Sequence, residues 1–146
     1  SEDNINMLLE QYKTLQDSRE FTGISDELIQ ELASSKNRHW DFNIFVAHLS
    51  ENNEFLGLLV SVRYGARAIY LIGATNFLGR KYQANYVLLW EAILDAKSKE
   101  CSSFDIGGLN ESTTKGISHF KKGLQSEMYD LCGEYRYYNL KFNPFS

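Results

Sequence analysis

Three short stretches of this sequence combine side chains and glycines in ways that can do chemistry. Residues 116–123, Gly-Ile-Ser-His-Phe-Lys-Lys-Gly, set Lys121 beside Phe120 between two glycines. A lysine so placed can offer a cation to a phosphate or to a developing oxyanion. Phe120 can dock a planar or apolar group, or pack in a core. His119 titrates near neutrality and is either a base or an ordinary hydrogen-bonding side chain. The second stretch, Asp105-Ile106-Gly107-Gly108, closes an apolar run. Ligand sites in open α/β sheets gather at strand carboxyl ends. Asp105 there can accept a proton or hold an amine, or simply cap a turn, and Gly107 and Gly108 let a ligand or backbone come close. The third stretch, Asn76 to Lys81, precedes a long helical pattern. Asn76, Arg80 and Lys81 near a helix N-terminus suit an anion; the alternative is an exposed turn with solvated charges.

Other reactive patterns are missing. The sequence has no Ser/His/Asp arrangement, nucleophile elbow or Walker loop. Its histidines lack metal-ligand spacing, so no metal site is expected. Cys101 and Cys132 can neither frame a disulfide scaffold nor form a zinc site by themselves. They read as buried small hydrophobes in a reducing, cytoplasmic setting. Tyr135, Tyr137 and Tyr138 read as sheet packing rather than a base-stacking platform.

The elements that must position these stretches follow from periodicity. Ile5, Leu8, Leu9, Tyr12 and Leu15 form a helical stripe over residues 4–18. Ser25 is an N-cap for a second short helix carrying Leu28, Ile29 and Leu32, with Asp26 and Glu27 in its first turn. Residues 42–49, 55–64 and 68–75 are β-branched and aromatic, and the turn residues between them predict three antiparallel strands. Gly73 suggests a bulge or a close backbone approach. Residues 80–98 predict the longest helix, with Tyr86, Leu89, Trp90, Ile93 and Ala96-Lys97 as its stripe and Glu91 to Asp95 facing solvent. Residues 102–106 predict a short buried strand. Residues from Thr113 to Lys122 predict a short helix, and residues 127–138 a final strand, with Gly133 as a bulge. The order ααβββαβαβ is an α/β (α+β) arrangement with a mixed, mostly antiparallel sheet flanked by helices.

At 146 residues the chain fits one domain, which can bury roughly 70% of its unfolded surface. The composition is 43% hydrophobic and 14% aromatic with one proline, which argues against disorder. No apolar run is long enough to span a membrane. The net charge of −4 is unevenly spread. Residues 1–62 hold four cations and eleven anions, whereas residues 63–146 hold eleven cations and eight anions. The first half is unsuited to a polyanion, and no DNA partner is expected; the second half can hold phosphates locally.

Four segments taken together carry a resemblance: residues 70–75 (YLIGAT), 86–93 (YVLLWEAI), 104–109 (FDIGGL) and 116–123 with Phe120-Lys121. In this order they resemble the Fem-type (FemABX-like) peptidyltransferases, over residues 1 to about 135. Those are GNAT-fold acyltransferases that attach amino acids from aminoacyl-tRNA to peptidoglycan precursors. The resemblance implies a single GNAT-like domain over residues 1–146, belonging to a longer protein with a second such domain. It implies that the first strand of the fold precedes residue 1, and the start at Ser1 suggests a fragment or a processed product. It implies Phe120 and Lys121 at the acyl-transfer centre, with Asp105, Gly107 and Gly108 lining the cleft and Tyr70 and Trp90 in packing roles. No cofactor is expected to be tightly bound. The donor is an aminoacyl-tRNA ester or an acyl-coenzyme A, and the acceptor is a primary amine. Acetyltransferases of the fold grip the coenzyme A pyrophosphate with a glycine-containing loop. The matching run here is Arg80-Lys81-Tyr82-Gln83-Ala84-Asn85, where Gln83 replaces a glycine, and a side chain there obstructs tight pyrophosphate binding. A tRNA ester must then be met by residues 63–146 or by a partner domain. A third reading is a GNAT-like half that binds substrate or packs on a partner without catalysis.

Overall fold

The computed structural model describes residues 2–35, 37–108, 115–124, 126–130 and Gly133. The chain divides into two compact units, Ser1–Gly108 and Leu109–Ser146. Among the described residues the order is ααβββααβα.

In the first unit, α1 (Glu2–Arg19) buries Leu8 and Tyr12 from the expected stripe. The Tyr12 hydroxyl accepts from the Ile24 N–H at 3.1 Å, which draws the connection to the next helix over the ring. Ser25 caps α2 (Asp26–Ser34) by accepting from the Leu28 N–H. Its own N–H and the Ser25 hydroxyl hold the Glu27 carboxyl below the usual carboxylate range.

β1 (Trp40–His48), β2 (Phe55–Tyr64) and β3 (Arg67–Thr75) form an antiparallel meander. β4 (Ser103–Asp105) joins β3 in parallel, giving the order β1-β2-β3-β4. Opposed residues share a face. Phe42 and Val62, Ile44 and Val60, and Val46 and Leu58 therefore point together, joined from β3 by Ile72 and Ala74. This face packs against Leu8, Tyr12 and Ile29 of α1 and α2 as the main apolar core.

Two places carry one extra residue in the ladder. On β2 it is Leu56, because Ala47 opposes Gly57 while His48 opposes Phe55. On β3 it is Leu71, because Val60 opposes Ile72 while Ser61 opposes Tyr70. The bulge on β3 inverts the alternation, so Tyr70 and Gly73 lie on one face. The Tyr70 hydroxyl occupies the space a Cβ at Gly73 would need. The close approach expected at Gly73 is therefore made by a side chain, and the bulge itself is at Leu71.

The helix expected over 80–98 is two helices, α3 (Phe77–Lys81) and α4 (Ala84–Ser98). Gln83 breaks them by taking the left-handed conformation at φ 55°, ψ 36°. The buried side of α4 keeps Leu89 and Ala96 of the expected stripe and adds Ala84, Leu88 and Ala92, whereas Tyr86 and Trp90 are exposed, Trp90 by 59%. Alanines let the helix backbone lie close to the sheet, a spacing that outweighed the larger apolar stripe. Asp95 does not point to solvent but accepts from the Asn43 side chain of β1.

In the second unit, α5 (Lys115–Gly123) matches the expected short helix, with Lys121 and Lys122 in its last turn favourable to the helix dipole. Thr113 and Thr114 lie outside the described residues. Of the final strand expected over 127–138, residues 127–130 and Gly133 have irregular backbone and the others lie outside the described residues.

Candidate functional site

β3 and β4 pair over three residues only, from Arg67↔Ser103 to Ile69↔Asp105. β3 then continues to Thr75 while β4 stops. β3 has its bulge at Leu71, just past the last pair, so among the described residues Ile72 to Thr75 run on without β4 beside them. Ligands of open α/β sheets gather at such strand carboxyl ends.

Asp105 stands at the last paired position and is half-buried. Its Oδ1 accepts from the Gly107 N–H at 2.7 Å, which turns the chain out of the strand. Gly107 has φ +80°, a left-handed conformation that favours glycine. Among the described residues a Cβ at Gly108 would meet nothing within 4 Å.

At the end of β3, Asn76 is a capping residue rather than a loose polar group. Its Oδ1 accepts from the Gly79 N–H at 2.7 Å and its Nδ2 donates to the Phe55 carbonyl. Its backbone N–H donates to Leu56, the bulged residue of β2. Gly79 packs on that same strand, and a Cβ there would collide with the Leu56 carbonyl. The β2 bulge thus seats α3. Arg80 sends Nη1 back to the Thr75 carbonyl at 2.8 Å, toward α1. Lys81 instead lies over the Tyr82 ring, 5.6 Å from its centroid. Adjacent in sequence, these two cations serve different places. Gln83 gives α4 no side-chain cap.

On α5, Phe120 and Lys121 are half-buried and His119 is exposed. Among the described residues no cluster of His, Cys, Asp or Glu could hold a metal, and no helix is long and apolar enough to cross a membrane. Cys101 is free and half-buried.

One charged cluster escaped the sequence reading. Arg63 Nε bonds Asp41 Oδ2 at 2.6 Å, while its Nη1 and Nη2 donate to the Gly65 and Arg38 carbonyls. Lys99 bridges Asp41 at 3.6 Å and Asp95 at 2.9 Å. The Arg63 hydrogen bond, and secondarily Lys99, hold the Asp41 carboxyl below its usual range; the same bond raises Arg63. With each of its three nitrogens bonded within the chain, Arg63 clamps structure rather than ligand. The signal that finds it is the opposed pair Asp41↔Arg63, visible only once the hairpin register is known.

An antiparallel meander followed by a crossover helix and a short parallel strand is a GNAT-like α+β fold. The chain matches the FemAB family over residues 1–143 and belongs to that family, whose members are transferases. No curated protein matches it.

Proposed function

We propose that this chain carries out the aminoacyl transfer of a Fem-type enzyme, moving an amino acid from an activated ester to a primary amine, such as that of a peptidoglycan precursor. The observation that supports it best is the end of β4 at Asp105, followed by Gly107 and Gly108, beside a β3 that runs on, in a member of the FemAB family. In the reaction the neutral amine nitrogen attacks the acyl carbon. The carbonyl oxygen gathers negative charge, the ester C–O bond breaks and an amide forms. The amine's proton must leave and the departing oxygen must gain one. Asp105 is suited to take that proton, and Lys121, with Phe120 beside it in sequence, to stabilise the oxyanion. Gly107 and Gly108 admit the substrate backbone. Arg80, Lys81, Asn76 and His119 remain binding candidates.

Transfer is measured on the full chain with charged tRNA and an amine-bearing precursor peptide, and separately with acetyl-coenzyme A. Lys121→Ala is expected to lower turnover at least about tenfold with the melting temperature unchanged. Undiminished turnover would overturn the role of Lys121. The coenzyme A reading has one observation in its favour, the uncapped first turn of α4 after Arg80 and Lys81. Saturable acetyl-coenzyme A binding that weakens in Lys81→Ala would move the donor to a thioester.

A further inference from the structure

α4 is apolar on two sides, and the sheet covers one of them. On the other side Tyr86, Val87, Trp90 and Leu94 are exposed, Val87 and Trp90 by 59% each. At the pitch of a helix these four fall within an arc of about 100°, and Lys97 falls within the same arc past Leu94. Tyr82, just before the helix, is exposed as well. At the size of such side chains the arc on α4 alone presents roughly 400 Å² of largely apolar surface, a patch large enough to mark an interaction site. We propose that this side of α4 lies on the surface of an anionic lipid bilayer, with Trp90 at the centre of the contact. The inference goes beyond the transfer reading, and the residues that test it, Trp90 and Lys97, have no place in that reading.

Three features select that partner. First, the side chains are of the types that stand at a lipid–water boundary. Trp and Tyr join an apolar ring to a polar tip, and a lysine lays its stem on apolar surface while its ammonium stays among headgroups. The indole N–H of Trp90 has no partner among the described residues. A dry seam against a second helix would bury that N–H and the Lys97 ammonium, whereas a headgroup layer satisfies both. Second, the sheet separates the charges. The exposed carboxylates of α1 and α2, among them Glu10, Asp17, Asp26 and Glu31, belong to the layer on the opposite face from α4. Within the arc the one charged residue is Lys97, with Glu91 at the margin. Beyond the other end of the arc the Lys81 ammonium lies over the Tyr82 ring. Toward an anionic surface the chain thus turns its cations and holds the carboxylates of two helices away, even with a net charge of −4. Third, the outer side of a helix is convex. It has no recess for an anchor from another protein, but it sinks into the boundary region of a bilayer. No described helix is long and apolar enough to cross one, so the contact is with the surface.

The test sediments the full chain with vesicles of phosphatidylcholine and phosphatidylglycerol in equal amounts, and with vesicles of phosphatidylcholine alone. Binding to the mixed vesicles is expected to saturate and to be at least about fivefold tighter than to the neutral ones. Trp90→Ala is expected to weaken it at least about tenfold, and Lys97→Gln about fivefold. Both positions are exposed, so melting temperatures are expected to stay unchanged. Leu28→Ala removes an exposed apolar side chain from α2, on the opposite layer, and is expected to leave binding as it was. No binding, equal binding to both kinds of vesicle, or undiminished binding by Trp90→Ala would overturn the proposal. So would a dimer in lipid-free solution that Trp90→Ala dissociates, since this side of α4 would then belong to a second copy of the chain. Neither donor nor turnover enters the measurement, so its failure is distinct from failure of the transfer reading.

Discussion

Both faces of the sheet bury apolar residues, but one adds charged contacts at its margin. Toward α1 and α2 the contacts are almost wholly apolar: Leu58, Val60, Val62, Ile72 and Ala74 meet Leu8, Tyr12 and Ile29. On the α4 side Leu88, Leu89, Ala84, Ala92 and Ala96 are buried as well, and near the helix's far end Asp95 accepts from Asn43 while Lys99 bridges Asp95 and Asp41, the partner of Arg63. Burial of apolar surface is strong and indifferent to direction. A charge-assisted hydrogen bond at a half-exposed position adds little net energy but demands one geometry. The comparison teaches that apolar burial holds both helical layers to the sheet, while the polar contacts beside α4 add direction and fix where that helix ends.

The largest test of this division is Ile29→Ala. Its side chain is fully buried, and the loss is expected to be about 3 kcal/mol, seen as a drop of roughly 10 °C in melting temperature. A loss as small as that of a surface substitution would break the comparison. Arg63→Met on the other face is expected to cost about 1–2 kcal/mol by urea unfolding, because Asp41 and two carbonyls lose their donor. The smallest effect lies in pH dependence. The Asp41 carboxyl is held low in the folded chain, so its contribution is complete above the unfolded value, near 3.9, and fades as pH falls through the folded one. The exposure of the pair limits that contribution to under about 1 kcal/mol. Melting temperatures of the native chain and of Arg63→Met should therefore converge as pH is lowered below about 4. A gap that stays constant would show that Asp41 adds nothing through its charge.

Much of the fold was legible in the residues. The second strand, Phe55–Tyr64, and the Ser25 cap stand where the pattern put them, because alternation and capping are local effects. The single helix over 80–98 failed on a local point too: Gln83 enters a left-handed conformation that side chains rarely adopt, and nothing in its type announces this. Trp90 failed for a tertiary reason. A helix that is apolar all round has two candidate faces, and only the spacing to the sheet chose the alanines. At the candidate site, the glycines after Asp105 were readable as a turn with open backbone. The direction of Arg80 was not, since it depends on the Thr75 carbonyl and on where α1 ends. Asp41 and Arg63 looked like ordinary surface charges until the register set them opposite each other.

The residue inserted at Leu71 also governs how this gene segment can change. Substitutions along β3 alter one position at a time. Loss of the one codon between Tyr70 and Ile72 would remove the extra residue, and simple alternation would then leave Ile72, Gly73 and Ala74 on the faces they already occupy. Loss of a codon beyond Ile72, with the bulge kept, would instead turn the rest of the strand over. The strand can therefore shorten by a single residue at Leu71 without exchanging its layers.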